Sequence, residues 1–241
     1  MWRKKVRMTI MQTRLNKFLA GKGIASRRKA DDLIVDGKIK INGKVVKELG
    51  TKVSEEDKVE VDAEVLAAKE KLVYIALNKP LGFICSNSPT KIDKKIVVDL
   101  INCRERIFPV GRLDKDSSGL LVITNDGNLS FHLTHPKFKC EKEYEVEVAA
   151  DLTAERVRKV EKGVSLERQK TQATQVMVLD TRRARIILRE GKNRQVRKIF
   201  GKVGCEVTSL KRVRVKNLKL GRLKIGEWRE LSKNEVENLK S

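Results

Sequence analysis

Residues 111–127 read GRLDKDSSGLLVITNDG, and this stretch places a carboxylate beside a buried strand. The apolar run at 120–123 is typical of a strand that is covered on both faces. Asp114 stands just ahead of that run, where a charge costs free energy unless it is paired or used. The small residues at 117–119 let the backbone turn tightly and another molecule approach closely. The stretch therefore predicts the floor of a pocket, with Asp114 as a working group.

Strands and helices interleave from Leu72 onward, which predicts an α+β fold. Each assignment rests on hydrophobic periodicity and on the position of glycine and proline. The predicted elements are a strand LVYIAL at 72–77, a turn NKPLGF at 78–83, a buried strand LLVIT at 120–124, a turn at 125–127, a helix carrying Leu129 and Leu133 that ends before Pro136, an alternating strand KEYEVEV at 142–148, a strand ARIILRE at 184–190 and a helix with the apolar stripe Val196, Ile199, Phe200 and Val203.

The front of the chain predicts two short helices followed by a hairpin. TRLNKFLAGKG at 13–23 has its apolar residues at i, i+3 and i+4 and ends in glycines. Ser26 is a good N-cap for a second helix, which Gly37 closes. In KIKINGKVV at 38–46, apolar and polar residues alternate around Asn-Gly, the pair that favours a type I′ turn.

The segment AEVLAAKEK at 63–71 has no β character and is interpreted as a linker that could be helical. A domain boundary near residue 70 follows. We therefore expect a small module with its linker over 11–70 and a larger domain over 71–241.

The charge of the chain points to a polyanion partner. Fifty-four Lys and Arg stand against thirty-two Asp and Glu, which leaves a formal net charge of +22. Most of the excess lies in the C-terminal third, and so large an imbalance favours binding to nucleic acid. Aromatic residues make up only 4% of the chain. This scarcity argues against stacking platforms for several exposed bases, so charge and shape would supply most of the affinity for RNA.

The sequence favours neither a metal site nor a disulfide framework. Four scattered cysteines form no C-x-x-C pair, and the chain has two histidines. An Asp114–Asp116 metal site is disfavoured because neighbouring cations compete for the charge. His132 and His135, beside a proline, are expected to satisfy local backbone groups. The chain has neither a membrane-length apolar run nor a secretory signal, which predicts a soluble protein of the cytoplasm.

The front module resembles the S4 RNA-binding domain from about Thr13 to Asp62. The likeness rests on G-x-A-S-R-R-K-A at 23–30 and on the N-G-K-V hairpin after it. It implies that the start of the second helix lies against structured RNA. The alternative is plain solvated charge on an exposed helical turn. The residues that would contact phosphates are Arg27, Arg28 and Lys29.

The larger domain resembles the ribosomal RNA pseudouridine synthases of the RsuA type. With the S4 module, the resemblance runs from about residue 13 to the end. It implies a mixed, mainly antiparallel sheet with a central cleft, and an enzyme that isomerises a uridine of ribosomal RNA to pseudouridine without a cofactor or a metal. The motifs are N-K-P-x-G at 78–82, G-R-L-D-x-D-S-S-G-L-L at 111–121, H-P at 135–136, K-x-Y at 142–144 and G-K-N-R-Q-V-R at 191–197.

The resemblance implies catalytic roles for Asp114, Tyr144 and Arg197. Asp114 would attack C1′ of the ribose or remove a sugar proton, and both routes stay open; each needs an ionised, poorly hydrated carboxylate. Arg197, whose helical phase puts it at the border of core and solvent, would supply the counter-charge. Tyr144 would stack on the uracil and assist loss of the C5 proton, although alternation alone would make it a core residue. An extruded uridine leaves a gap that Arg112 could fill.

Other cations of the last motif, Lys192, Arg194 and Lys198, would contact phosphates or remain solvated. Two positions depart from the family pattern. Ser117 stands where threonine is usual, and Glu143 places a negative charge where a threonine commonly precedes the tyrosine.

The expected partner is ribosomal RNA or a ribosome assembly intermediate, bound by a monomer. The tail at 210–231 is similar to that of members that modify large-subunit RNA, which favours 23S over 16S RNA as the substrate. A non-catalytic RNA-binding or assembly factor and, more remotely, a metal-dependent nuclease remain as alternatives. The likeness begins near Thr13, so that translation could start at Met1 or at Met11.

Overall fold

The computed structural model describes residues 12–54, 56–61, 64–65, 71–166, 169–171 and 174–241. The chain divides into two compact units between Lys71 and Leu72. The two candidate start methionines and most of the expected linker lie outside the described residues. Within these ranges, no helix is long and apolar enough to cross a bilayer.

The first unit contains the two predicted helices and the predicted hairpin. Ser26 caps the second helix, because its Oγ accepts a hydrogen bond from the Lys29 backbone N–H at 3.2 Å. Asn42 and Gly43 have φ angles of 50° and 80°, which the type I′ turn requires. The elements are β1 (Thr13–Arg14), α1 (Leu15–Gly21), α2 (Arg27–Val35), β2 (Ile39–Ile41), β3 (Lys44–Val46), β4 (Lys52–Val53), β5 (Val59–Val61) and β6 (Glu64–Val65).

The apolar faces of α1 and α2 pack on the small sheet formed by β2, β3, β5 and β6. The strand Glu64–Val65 corrects the expectation that the segment after Asp62 lacks β structure, since β6 pairs antiparallel with β5. The open edge of β5 presents unpaired backbone groups, and pairing with them requires no special side-chain pattern. Local composition therefore did not reveal this strand.

The second unit is built on a mixed sheet, as expected for an α+β domain. Nine of its described strands form this sheet, in the order β13, β14, β10, β15, β9, β7, β17, with β16 beside β15 and β8 beside β9. The elements are β7 (Tyr74–Lys79), β8 (Phe108–Pro109), β9 (Ser118–Thr124), α3 (Gly127–Thr134), β10 (Lys142–Val148), α4 (Ala154–Glu161), β11 (Ser165–Leu166), β12 (Gln169–Lys170), β13 (Gln175–Val178), β14 (Arg183–Leu188), α5 (Gln195–Lys202), β15 (Val207–Val215), β16 (Leu218–Lys219), β17 (Trp228–Glu230) and α6 (Lys233–Lys240).

Several element boundaries differ from the prediction. β7 starts at Tyr74 and includes Asn78 and Lys79, which the sequence assigned to a turn. Both polar side chains are buried and hydrogen-bonded, so that the strand continues although its apolar pattern has ended. Asp126, expected in a turn, is the N-cap of α3 and accepts hydrogen bonds from two backbone N–H groups of that helix.

The two halves of the sheet meet where β9 runs parallel to β15. Ser118 pairs with Lys211 and Gly119 with Arg212, whereas the other described strand pairings of this sheet are antiparallel. Gly119 has a φ of 105°, and a Cβ at this position would lie 2.2 Å from the Arg212 carbonyl oxygen. Only glycine allows the two backbones to approach this closely.

We predict that Gly119→Ala lowers the free energy of unfolding by more than about 3 kcal/mol, because the added methyl group meets backbone atoms and φ is unfavourable for alanine. Urea denaturation followed by circular dichroism measures the change. Gly201→Ala is the matched control, since a Cβ on this α5 residue meets nothing within 4 Å. The control should leave the free energy of unfolding unchanged or raise it slightly. An equal decrease in the free energy of unfolding of both variants would contradict the role given to the β9–β15 contact.

Candidate active site

A cleft of about 480 Å³ opens in the second unit where the two halves of the sheet meet. Its floor is the segment 111–117, its walls come from β10, β14 and β15, and its rim is formed by residues 133–140 and 188–196. The predicted residues in its lining are Arg112, Asp114, Tyr144, Lys192 and Arg194. The cleft is therefore assembled from segments that are far apart in sequence.

The floor of the cleft is held in place by cations that bind backbone carbonyl groups. Lys79 is fully buried, and its Nζ donates to the Ser117 carbonyl oxygen at 2.8 Å and to that of Pro80 at 2.9 Å. Burial lowers the pKa of Lys79, against the opposing effects of Cys85 and of the acidic residues of the floor. Arg212, 3% exposed, donates from Nε to the Leu120 carbonyl oxygen at 2.7 Å. These bonds restrict the backbone on both sides of the floor.

Two carboxylates of the floor lie next to the start of α5. The side chain of Asp114 is 31% exposed, and its Oδ2 lies 3.9 Å from Arg194 Nη1. Arg194 also donates two hydrogen bonds to Asp116, at 3.1 and 2.8 Å. The hydrogen bonds from Arg194 are the main reason that the pKa of Asp116 lies below its usual value, and Arg197 adds to the effect.

Arg197 was expected to pair with Asp114, but its partners among the described residues are different. Arg197 donates to the carbonyl oxygens of Val207 at 2.8 Å and Asp116 at 2.7 Å, and its Nε lies 3.4 Å from Asp116 Oδ2. The guanidinium beside Asp114 belongs to Arg194, which stands one residue before α5 with a φ of 50°. This left-handed residue lies outside the helical repeat, so a helical wheel could not place it.

Tyr144 lines the cleft from β10 and is 8% exposed. The pairing of β10 with β15 shifts register between Glu143 and Tyr144, a bulge that can redirect a side chain. Glu143, which raised the prospect of negative charge near bound RNA, accepts a hydrogen bond from Arg214 Nε at 2.6 Å. Its charge is thus compensated within the protein.

The remaining predicted residues occupy different surroundings. Arg112 is exposed on the cleft floor, and Lys192 on the rim donates to Gln169 Oε1 at 3.1 Å. Arg197 and Lys198 are not part of the described wall of the cleft. His135 Nδ1 accepts a hydrogen bond from the Lys137 backbone N–H, the local role that the sequence predicted. Arg27, Arg28 and Lys29 are exposed on the first turn of α2, in the other unit.

Sequence reasoning missed several residues that line the cleft or support its floor. Lys79 was quoted in N-K-P-x-G without a role, and Arg212 belongs to the alternating strand KRVRV, where burial could not be read from pattern alone. Lys142 lines the cleft and donates to the Cys140 carbonyl oxygen, and burial lowers its pKa. Ser117, 1% exposed, lines the cleft with an Oγ that has no hydrogen-bond partner among the described residues.

Comparisons with known proteins agree for both units. A family model described as RNA pseudouridylate synthase matches residues 73–202, and one described as S4 domain matches residues 13–59. Ribosomal large subunit pseudouridine synthase B of Bacillus subtilis is 43% identical over 235 residues, which cover 95% of this chain and 96% of the relative. Dual-specificity RNA pseudouridine synthase RluF of Salmonella typhi is 39% identical over 96% of this chain and 80% of the relative. A solved structure described as a pseudouridylate synthase superposes with a TM-score of 0.70 at 32% identity, covering 94% of this chain and 99% of the other.

We predict that Arg194→Gln raises the pKa of Asp116 toward its usual value, because the main cause of its lowering is removed. Carboxyl carbon chemical shifts, followed by NMR as a function of pH, measure the change. Arg189→Gln is the matched control on the same rim. It should raise the pKa of Glu141, which Arg189 lowers, and leave Asp116 unchanged. An unaltered Asp116 titration in Arg194→Gln would contradict the ion pair described above.

Proposed function

The chain belongs to the RNA pseudouridylate synthase family, and we propose that it isomerises a uridine of ribosomal RNA, with large-subunit RNA preferred over small-subunit RNA. The proposed substrate rests on the relative from Bacillus subtilis, whose name specifies the large ribosomal subunit and which matches this chain over nearly its whole length. The tail at 210–231 resembles that of members that modify large-subunit RNA, which favours the same choice. We place the enzyme in the cytoplasm, acting as a monomer on ribosomal RNA or an assembly intermediate.

The observation that carries this proposal is the position of Asp114 in a cleft that it shares with Tyr144, Arg194 and Arg212. A carboxylate, an aromatic ring and guanidinium groups meet there around a space of about 480 Å³, enough for one nucleoside. The cations of the cleft favour a phosphodiester strand, and the aromatic ring offers a face to a base. The target uridine must leave its stack to enter such a cleft.

Asp114 is the proposed catalytic group. In the reaction the N1–C1′ bond breaks, the uracil turns, and C5 bonds to C1′ while C5 loses a proton and N1 gains one. If Asp114 attacks C1′, an ester forms as the uracil leaves with the bonding electrons, and C5 then displaces the carboxylate. If Asp114 instead removes the proton from C2′ of the sugar, the base departs by elimination; it adds back to C1′ through C5 as Asp114 returns the proton to C2′. Neither route consumes a cofactor, since substrate and product are isomers.

Four further side chains are proposed to position the nucleotide or to support the site: Tyr144, Arg112, Arg194 and Arg197. The Tyr144 ring would stack on the uracil and assist the loss of the C5 proton. Arg112, exposed on the cleft floor, would fill the gap left in the RNA. Arg194 would balance the charge of Asp114, whereas Arg197 would hold the floor through the Asp116 carbonyl oxygen. Lys192 and Lys198 remain proposed phosphate contacts.

The S4 module is proposed to supply a second grip on the RNA. Arg27, Arg28 and Lys29 are exposed at the N-terminus of α2, where the helix dipole also favours phosphate. Among the described residues no carboxylate forms an ion pair with them. Their charge therefore remains available to a polyanion.

We predict that Asp114→Asn lowers the rate of pseudouridine formation by at least about 10³-fold, while RNA affinity changes by less than about twofold, because the amide can neither attack C1′ nor accept the proton. Mass spectrometry of digested 23S and 16S transcripts measures the product. Asp180→Asn, which alters an exposed ion pair with Arg183, is the control and should retain full activity. Pseudouridine formation at the wild-type rate in Asp114→Asn would refute the catalytic role of Asp114. No pseudouridine from the wild-type protein would leave only a non-catalytic RNA-binding role.

We predict that changing Arg27, Arg28 and Lys29 together to Gln weakens RNA binding and reduces the slope of log affinity against log salt by about 2 to 3, because three phosphate contacts are lost. Filter binding at several salt concentrations measures the slope. A second triple variant changes Lys159, Arg182 and Lys233, which are exposed elsewhere, to Gln and has the same net charge. Equal weakening in both would show a general charge effect and refute the assigned contact.

A further inference from the structure

A group of four rings, three of them exposed, lies at the rim of the cleft, on the C-terminal half of α3 and the short 3₁₀ turn that follows it (Pro136–Phe138). This ring cluster consists of Phe131, His132, His135 and Phe138. It contains both histidines of the chain and two of its six phenylalanines. Aromatic residues are scarce here, so their concentration on one exposed surface is a specific feature of the molecule.

The four rings are in contact with one another. His132 stacks on Phe138, with centroids 4.1 Å apart and planes inclined by 29°. Phe131 meets Phe138 edge to face at 5.7 Å and lies 4.7 Å from His135. Such contacts fix ring orientation, so a planar ligand would find the surface already arranged. Burial lowers the pKa of His132, and repulsion from Lys216 and Lys137 adds to the effect, which favours a neutral ring in the stack at neutral pH.

The cluster is not part of the hydrophobic core. Phe131 is 47% exposed and Phe138 36% exposed, whereas the leucines of α3, Leu129 and Leu133, are 1% exposed and supply its packing. Large apolar side chains held together at the surface mark interaction sites more often than stability determinants. Leu133 therefore anchors the helix, and the phenylalanines remain free for another task.

The charge beside the ring cluster and its position next to the cleft indicate which ligand it binds. Lys137 Nζ lies 5.0 Å from the Phe131 ring centroid and 4.7 Å from that of Phe138, at an exposed site where such contacts are weak and readily exchanged. His135 and Lys139 of the same segment line the cleft. A strand that enters the cleft thus passes the ring cluster, where a base could replace the ammonium group on a ring face and Lys137 could move to a phosphate.

We propose that the ring cluster is a base-stacking subsite, which binds an unpaired base of the RNA strand next to the nucleotide in the cleft. This inference rests on the proposed function for the presence of an RNA strand in the cleft, and it deepens that function by assigning a contact to a flanking base. Stacking on aromatic faces tolerates every base, so the subsite holds the strand rather than reads its sequence. A protein partner fits less well, because Lys137 lies over the rings and because His135 and Lys139 of the same segment line the cleft.

The test compares two RNA strands of equal length, an oligoadenylate and a strand of abasic ribonucleotides, on the full chain. The phosphate contribution is the same for both, so their affinity ratio isolates base binding. The wild-type protein should prefer the oligoadenylate by about tenfold or more. The double variant Phe131→Leu with Phe138→Leu keeps apolar volume but loses the ring faces. It should lower the ratio by about tenfold and leave affinity for the abasic strand within about twofold.

Trp228→Leu is the matched control, because Trp228 is also 36% exposed and does not line the described cleft. Its ratio should equal that of the wild type. Thermal denaturation checks the fold of each variant. If the double variant does not fold, Phe138→Leu alone replaces it and should lower the affinity ratio by a smaller factor. An unchanged ratio in the phenylalanine variants, an equal loss in Trp228→Leu, or no preference in the wild type overturns the proposal and leaves the surface to a protein partner.

The same measurements separate this inference from the catalytic proposal. Asp114→Asn should lose isomerisation and keep the wild-type affinity ratio. If the wild type makes no pseudouridine while the phenylalanine variants lose base preference, the catalytic proposal fails and the subsite stands. If pseudouridine forms and the ratio is insensitive to both phenylalanines, the subsite fails and the catalytic proposal stands.

Discussion

The close approach of Gly119 to the backbone of Arg212 is the constraint on which the rest of the structure depends. It joins the halves of the sheet through a short parallel pairing. The pairing extends over two residue pairs, and the cleft lies beside it, with the segment that enters β9 as its floor. Asp114 belongs to this segment. The small residues after it are therefore required by the strand junction as well as by the approach of a substrate.

Positive charge has two separate uses in this chain. Lys79 and Arg197 donate to backbone carbonyl oxygens of the floor and Arg212 donates to one of β9, so that these charges act as structural supports. Charge-assisted hydrogen bonds are stronger than neutral ones, which helps to offset the cost of withdrawing the cations from water. The exposed cations at the start of α2 form no ion pair among the described residues and remain available to RNA. A net charge of +22 thus overstates the charge that faces the polyanion.

Features encoded locally could be predicted from the sequence. The N-cap at Ser26, the Asn-Gly turn, the alternation of β10 and the stripe of α5 were all visible as periodicity or turn chemistry. The motifs led to the family and to Asp114 and Tyr144 in one cleft. The neighbour of Asp114 could not be found in this way, because Arg194 takes a left-handed conformation outside the helix.

The features that could not be predicted depend on contacts between elements that are distant in sequence. The burial of Lys79 depends on the pairing of β7 with β9, and the edge strand β6 depends on a partner rather than on its own residues. The low overall content of aromatic residues argued against a surface on which several bases stack. Composition contains no information about clustering, and the structure brings the rings together at one rim.

The buried lysine of β7 has a chemical consequence. Amine-directed acylating reagents attack a neutral, accessible amino group, and the ammonium of Lys79 is sealed beneath the cleft floor with 0% of its surface exposed. Acylation at this position must await separation of the floor from β7, whereas surface lysines react directly. We therefore expect Lys79 to be labelled slowly, at a rate that reports how often the catalytic domain opens transiently.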